Sequence, residues 1–580
     1  MITLGINAAF HDSSAAIVRD GQLIAAAEEE RFTRIKHAKR PLPFTAWELP
    51  YNAIDFCLAR CDATLNDVDH VAYSYDPKHF LNERLAGDSS VVLPLQPNAS
   101  ESEWENPWDP LFASYIVNAP GQLRDGAPHH LRARFLTNHD ARYAWHFVNH
   151  HMAHQASAFL AAPFKNCAVM TLDGRGEQAT TTYGVHQDST YTPLGEVTMP
   201  HSLGLLYERV TSHLGFLHSS DEYKVMALAA MGEPRYAAQL RKHVHVEDAG
   251  QYRIDRFDLG SVFGPARHRG EPIEQRHFDV AASLQKVLEE TVLALTRWLR
   301  DASGSNTLAM AGGVALNCVM NSTLRDAKVF DEVWIQPAAG DAGTALGAAL
   351  WIDSRSRNDA HSTNGNGRWH MQHAYWGPDY DDLTLRKFLD WAKLPYRALD
   401  DPAADVADIL ASDRIIGWFQ GRMEFGPRAL GARSIIASPL SAGMQERLNE
   451  LKDREDFRPV APAVPVDDFS DWFEPSDANG GISPFMLFVY RAREGRARQI
   501  PAACHVDDSA RVQTVAREDN PRFFDLLKAF GQRTGVPVLV NTSFNVRGEP
   551  IVCTPRDAID AFYSTPLDAL VIGNYLLEKH

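Results

Sequence analysis

The sequence predicts an α/β protein of two domains, the first a duplicated core with a cleft between its halves. Three observations carry that prediction. Residues 2–7 form an apolar strand. A loop with His11, Asp12, Ser13 and Ser14 then leads to a strand at 15–19, and Asp20-Gly21 turns into a third at 23–27. Asp-Gly between apolar runs is among the strongest short hairpin signals. The pattern recurs as a strand at 168–172, the polar turn Asp173-Gly174-Arg175-Gly176-Glu177 and a returning strand at 180–185. Finally, residues 354–367 (SRSRNDAHSTNGNG) are polar, lack apolar periodicity and read as an interdomain linker.

The remaining elements follow in order. The segment 85–130 is rich in Pro, Ser and Trp without a period and reads as an inserted loop or lid. A long helix is predicted over 280–300, where Leu284, Val287, Leu288, Val292, Leu295 and Leu299 recur near helical spacing. A short strand at 308–310 runs into Ala311-Gly312-Gly313, and a helix follows Asn317. A second glycine-rich strand–helix turn spans 337–344. Beyond the linker come a helix at 383–392, a strand at 415–419 and another at 536–540, where Pro537 favours an edge or strand-start position. These features give a first domain over 1–355, a linker over 356–370 and a second domain over 371–580.

Composition narrows the function. The chain has 580 residues, and 57 Lys+Arg against 74 Asp+Glu give a net charge of −17. Hydrophobic content of 45% and charged content of 23% are those of a globular protein of two to four domains. The acidic balance opposes a nucleic-acid binder, which needs a basic face, but leaves room for a local anion site. The N-terminus lacks the pattern of a signal peptide, and no apolar run reaches the ~18–20 residues of a membrane span. The six cysteines are scattered, without a disulfide or CxxC framework. A soluble cytoplasmic enzyme is expected.

Three motifs carry chemistry. In Asn149-His150-His151-Met152-Ala153-His154, a helix puts His150 and His154 one turn apart on one face, with His151 elsewhere. Asp173, at a strand end, and Asp341, in the second glycine turn, are candidates to complete a His₂Asp₂ shell, suited to iron, manganese or zinc. The alternative is a polar helix start with solvent-facing histidines. Gly312-Gly313 allows close backbone approach to a phosphate or ribose, or serves packing alone. No P-loop and no GxGxxG follows a strand, so those nucleotide folds are set aside. In the second domain, GRMEFGPRALGARS (421–434) holds three arginines and three glycines, followed by Lys452, Arg454, Arg458 and Arg511. Arginine forks hold phosphate oxygens bidentately, and the cluster points to a polyanion such as ATP. Asn541 and Ser543 add donors at a strand end.

With these residues assembled, the chain resembles the NodU/CmcH-type carbamoyltransferases. The matching stretches are FHDSSAAIV, AEEERFTRIKH, HHMAHQASAFL, TLDGRGE, EYKVMALA, GGVALNCVMN, PAAGDAGTALGAAL, GRMEFGPRALGARS, REDFRPVAP and NTSFNVRGEPIV, in order from His11 to Val552. The resemblance implies an N-terminal duplicated actin-like ATPase fold, similar to the tRNA threonylcarbamoyl-transfer enzymes, and a C-terminal YrdC-like α/β domain. It implies that ATP and carbamoyl phosphate give a carbamoyl-adenylate in the second domain. The first domain then transfers the carbamoyl group to a hydroxyl of a small-molecule natural product. His150, His154, Asp173 and Asp341 match the metal ligands, for Fe²⁺ or another divalent transition metal, with room for Mg²⁺ alongside ATP. His11 matches the base for the acceptor, oriented by Asp12. Lys36, Arg175 and Lys224 match residues lining the transfer site. Gly312, Gly313 and Asn317 match the nucleotide turn, and Arg428, Lys452, Arg458, Arg511, Asn541 and Ser543 the ATP/carbamoyl-phosphate site.

The sequence departs from the family pattern at Ala229-Ala230-Met231, and no family motif matches 85–130, where acceptor choice is expected to lie. Neither nucleic acid nor membrane is expected as partner, and a homodimer is compatible with the sequence. The alternatives are an actin-like-superfamily sugar kinase or ATPase, which leaves HHMAH and the arginine cluster unexplained, and a tRNA threonylcarbamoyl transferase, which the acidic charge opposes.

Overall fold

The structure is a computed structural model and describes residues 1–38, 49–77, 116–117, 119–124, 142–357, 369–476 and 481–579. Most of the 85–130 insertion and of the 356–370 linker lies outside them. The polar stretch begins later than its composition suggests, because residues 354–356 close the helix Ala342–Ser356.

Two five-stranded sheets share one topology. In the first, β1 (Ile2–Asn7), β2 (Ser14–Arg19) and β3 (Gln22–Glu28) form an antiparallel meander, and β4 (His70–Tyr73) and β5 (Ala144–Phe147) extend it parallel to β1, in the order β3-β2-β1-β4-β5. In the second, β6 (Cys167–Leu172), β7 (Ala179–Gln187) and β8 (Thr190–Thr198) form the meander. A small hairpin, β9 (Val244–Val246) and β10 (Tyr252–Ile254), intervenes before β11 (Thr307–Ala311) and β12 (Glu332–Ile335) add on parallel to β6, giving β12-β11-β6-β7-β8. Read from β8, the second order repeats the first. This is the duplicated core predicted from the two strand–turn–strand units.

Helices His150–Phe159 and Ala342–Ser356 lie between the sheets and pack on each other, the latter also on β1 and β2, the former on β6 and β11. Glycine permits this closeness. A Cβ at Gly347 would stand 1.8 Å from the Ala153 carbonyl oxygen, and one at Gly5 1.9 Å from that of Ala345. Because backbone cannot retreat as a side-chain tip can, Gly347→Ala is expected to destabilise the domain by at least the ~1–3 kcal/mol of an overpacked core. Thermal unfolding checks this, and an unchanged melting temperature would sink the packing argument.

The predicted helix at 280–300 runs from Gln275 to Ser303 and stops at Gly304, whose left-handed φ of 62° suits a helix C-terminus. Its apolar stripe covers the second sheet. The second domain centres on an eight-stranded mixed sheet. Its strands are β13 (Arg397–Ala398), β14 (Ile416–Phe419), β15 (Arg433–Ala437), β16 (Ala461–Pro465), β19 (Gln513–Val515), β20 (Leu539–Ser543), β21 (Ala569–Ile572) and β22 (Tyr575–Glu578), ordered β13-β22-β21-β14-β15-β20-β16-β19. A separate ribbon joins β17 (Tyr490–Arg491) to β18 (Ser509–Ala510). Helices Pro402–Ala411 and Pro521–Thr534 pack together over one face. The strand expected at 536–540 is displaced toward Ser543. Pro537 precedes it, and the strand is interior, flanked by β15 and β16.

Candidate functional site

One cleft of about 2570 Å³ runs between the two domains and carries nearly all the residues singled out above. Its floor in the first domain is made by two helix starts and a strand end. Asn149 caps helix His150–Phe159 by accepting the Met152 amide, and Glu177 accepts the His150 amide at 2.9 Å. This sets His150 and His154 facing Asp173, just past β6, and Asp341, which precedes helix Ala342–Ser356. His150 Nε2 lies 3.8 Å from Asp173 and 3.6 Å from Asp341, and His154 Nε2 4.0 and 3.5 Å from the same carboxylates. One ligand atom from each of the four falls within 4.8 Å of the others, and all four residues are buried.

The donor set fits a metal ion. His150 Nδ1 faces the Ser74 carbonyl at 3.2 Å, which fixes the tautomer and leaves Nε2 as a lone-pair donor. Both Nε2 atoms are buried without a hydrogen-bond partner among the described residues. Asp173 keeps its other oxygen on the Gly313 amide at 2.8 Å. Burial opposes ionisation of both carboxylates, yet the facing imidazoles when protonated (after His11, for Asp341) hold them well below the usual carboxylate range, and a metal ion takes the place of that proton. His151 is no ligand. It is buried against Thr182 at 3.2 Å, and burial pushes it down to about 3. The solvent-facing alternative for these histidines is therefore excluded.

Beside this centre, His11 Nδ1 lies 2.9 Å from Asp12 Oδ2 and 3.9 Å from Asp341. Burial opposes the Asp12 charge, but His37 and His11 outweigh it and hold the carboxyl well below its ordinary value. Lys36 and Arg175 line the same part of the cleft, Arg175 over the Phe10 ring at 5.4 Å. Lys224 lines it too, but its ammonium is shared between Asp221 at 3.2 Å and Glu455 of the second domain at 2.9 Å, so it ties the domains together. Gly312 does not reach the cleft. Its φ of 95° and the 2.1 Å approach of a Cβ to the Leu172 carbonyl oxygen make it a packing glycine, while Gly313 lines the cleft. Asn317 also lines it, with its side chain capping Met320 and donating to Gln285 at 2.8 Å.

The opposite wall is basic. Arg428, Lys452, Arg458, Arg511, Asn541 and Ser543 all line it, together with Arg454. Lys452 Nζ donates to Ser543 Oγ at 2.9 Å and Asn545 Oδ1 at 2.8 Å, and Asn541 donates to Gln513 at 2.8 Å. Arg458 stacks over Tyr223 at 4.7 Å, across the cleft. Burial, then Arg511 and Arg458 respectively, push Arg428 and Arg454 down to about 9, which leaves both charged at neutral pH. Arg428 Nε, Arg454 Nη2 and Arg511 Nε are buried donors without a partner among the described residues. Crowded, desolvated cations with unspent N–H groups suit a multiply charged anion.

Sequence reading passes over His37, adjacent to Lys36, and counts Arg454 in the basic cluster without matching it to the ATP/carbamoyl-phosphate site. Of the residues departing from the family pattern, Ala229 and Ala230 line the cleft and Met231 is exposed. All six cysteines are free. Among the described residues no helix is long and apolar enough to cross a membrane.

Comparison with known proteins agrees with this geometry. The family model described as Carbamoyltransferase N-terminus matches residues 2–350, and that described as Carbamoyltransferase C-terminus matches 407–579. An uncharacterized Synechocystis protein is 38% identical, covering 99% of this chain and 96% of that one. The nodulation protein NolNO of Sinorhizobium fredii is 38% identical, over 99% of this chain and 80% of its own. The 3'-hydroxymethylcephem-O-carbamoyltransferase of Amycolatopsis lactamdurans is 33% identical over 61% of this chain and 64% of its own.

Proposed function

The chain belongs to the carbamoyltransferase family, and from that premise we propose that it is an ATP-dependent O-carbamoyltransferase acting on the hydroxyl of a small natural product. One observation carries the proposal: the anion-binding wall and the two carboxylates of the His₂Asp₂ centre, Asp173 and Asp341, line one cleft. The arginines and Lys452 hold the phosphates of ATP and carbamoyl phosphate; water cleaves carbamoyl phosphate to carbamate and phosphate, and the carbamate oxygen bonds the α-phosphorus of ATP, giving carbamoyl-adenylate as pyrophosphate leaves. The adenylate crosses within the cleft, where its labile acyl–phosphate bond is kept from water. At the first-domain wall His11 takes the proton of the acceptor hydroxyl. The oxygen forms its bond to the carbamoyl carbon, and AMP leaves. Arg175 and Lys36 balance the charge of the departing phosphate. A divalent transition ion at His150, His154, Asp173 and Asp341, Fe²⁺ by the family resemblance, supplies Lewis acidity when bound.

The test is to incubate the protein with ATP and carbamoyl phosphate and analyse the nucleotide. AMP with pyrophosphate supports the proposal, whereas ADP supports an actin-like kinase instead. The acceptor is then sought by screening natural-product alcohols. His11→Ala is expected to slow carbamoyl transfer by about 10²–10⁴-fold, the range for loss of a general base. Pyrophosphate release should persist in this variant, and its loss in a well-folded His11→Ala protein would refute the separation of the two half-reactions.

A further inference from the structure

A second group of ligating side chains stands beside the metal centre: one ligand atom each from Asp12, Glu30 and His37 lies within 4.8 Å of the others. Its hydrogen bonding differs from that of the His₂Asp₂ set. There, two imidazole nitrogens face the carboxylates with no partner. Here the carboxylate oxygens already accept N–H groups. Asp12 Oδ1 faces His37 Nδ1 at 2.8 Å, Asp12 Oδ2 faces His11 Nδ1 at 2.9 Å, and Glu30 accepts from Arg31 and from the His37 amide. The group is built to place protons rather than a cation.

A carboxylate only accepts, so both imidazoles facing Asp12 carry their proton on Nδ1. His37 and Asp12 are bonded reciprocally, since the Asp12 amide donates to the His37 carbonyl at 3.2 Å while His37 Nδ1 donates to the Asp12 carboxylate. The far edge of His37 is fixed in turn, with Nε2 3.1 Å from the Ser220 hydroxyl. Asp12 and His37 both occupy the left-handed region, at φ 54° and 60°, a conformation disfavoured for residues with a Cβ. The segment carrying His37 is held by the second domain. Arg31 donates to the Gly426 carbonyl at 2.9 Å and Arg34 to that of Pro550 at 2.8 Å.

We infer that His37 is a positioning residue for transfer: it pins one Asp12 oxygen so that the other holds His11 with its proton on Nδ1 and its basic Nε2 presented to the acceptor hydroxyl. This rests on the reading of His11 as the base. In the step it serves, the acceptor O–H bond breaks and the proton passes to His11 Nε2. The oxygen bonds the carbamoyl carbon as AMP departs, and Nδ1–H stays on Asp12 throughout, so Asp12 stabilises the imidazolium without being protonated. His37 touches neither substrate nor proton. Without it the Asp12 carboxylate is free to rotate and the His11 ring samples both tautomers.

The test reads the ring itself. In full-length protein labelled with ¹⁵N-histidine, the His11 signals are those lost in His11→Gln. They should report a single Nδ1–H tautomer in the wild type and in His37→Asn, whose side-chain amide donates from the same place as Nδ1. In His37→Leu they should report a mixture. With the acceptor returned by the screen, His37→Leu should lower the turnover of transfer about 10–100-fold, the range for loss of an orienting partner, with KM for the acceptor unchanged and His37→Asn restoring most of the rate. A single tautomer retained in His37→Leu overturns the inference, as does a rate that His37→Asn fails to restore. Transfer at the wild-type rate in His11→Gln overturns instead the assignment of the base.

Discussion

His154→Ala is expected to leave the purified protein without its metal and to abolish carbamoyl transfer. The chemistry of the four residues requires this. Two buried carboxylates held ionised face two imidazole nitrogens that have no hydrogen-bond partner among the described residues. Each such buried, unsatisfied group costs about 1–3 kcal/mol, and a divalent ion bound by the four residues would relieve that cost. Wild-type protein reconstituted with Fe²⁺ should therefore carry one ion per chain by elemental analysis, and chelation should lower its melting temperature. In His154→Ala three ligands remain, the ion should be lost on dialysis, and chelation should change melting little. A wild type without stoichiometric metal, or a variant that keeps it, would mean that the four residues serve structure alone.

That centre was legible in the sequence because its signals are local. The i, i+4 spacing of His150 and His154 survives folding unchanged, and Asp173 and Asp341 each end a strand-to-turn pattern. What the chain does not announce is the company these residues keep. His37 lies in a short turn with left-handed backbone, where no periodicity marks it, and it matters only because Asp12 is brought beneath it from the β1–β2 loop. The duplicated core was read from hairpins, but the packing that makes it one unit rests on Gly5 and Gly347, ordinary residues in a strand and a helix until two backbones are laid together.

The misread strand has a physical reason of the same kind. Hydrophobicity placed it over residues 536–540, whereas pairing carries it through Asn541 to Ser543. Those polar residues are tolerated in an interior strand because they find partners: Asn541 donates to Gln513, and Ser543 takes the Lys452 ammonium. The partners that these polar side chains find lie in distant segments of the chain. Lys224 shows the converse. The resemblance matches it to a residue lining the transfer site, and it does line the cleft, but Asp221 and Glu455 already share its charge.

Arg458→Lys and Arg511→Lys are expected to cut carbamoyl-adenylate formation by at least tenfold while the carbamoyl group can still be transferred from adenylate supplied preformed. Net charge is unchanged by either substitution, so the effect isolates geometry. An arginine–phosphate contact can be bidentate and planar, and a lysine offers one point charge on a flexible stem. The position of each arginine sharpens the expectation. Arg458 is aligned by stacking over Tyr223, which an ammonium on a thinner stem cannot reproduce, and Arg511 has a buried Nε–H without a partner among the described residues. His11 and the metal centre are untouched in both variants, so they should act on adenylate that reaches them. Each variant is given ATP with carbamoyl phosphate in one reaction and carbamoyl-adenylate in another, and the carbamoylated acceptor is measured. Restoration by adenylate in a well-folded variant locates these arginines in its synthesis. If adenylate fails to restore product, the arginines act in transfer or in coupling the domains, and the division of the cleft into a synthetic and a transferring wall is wrong.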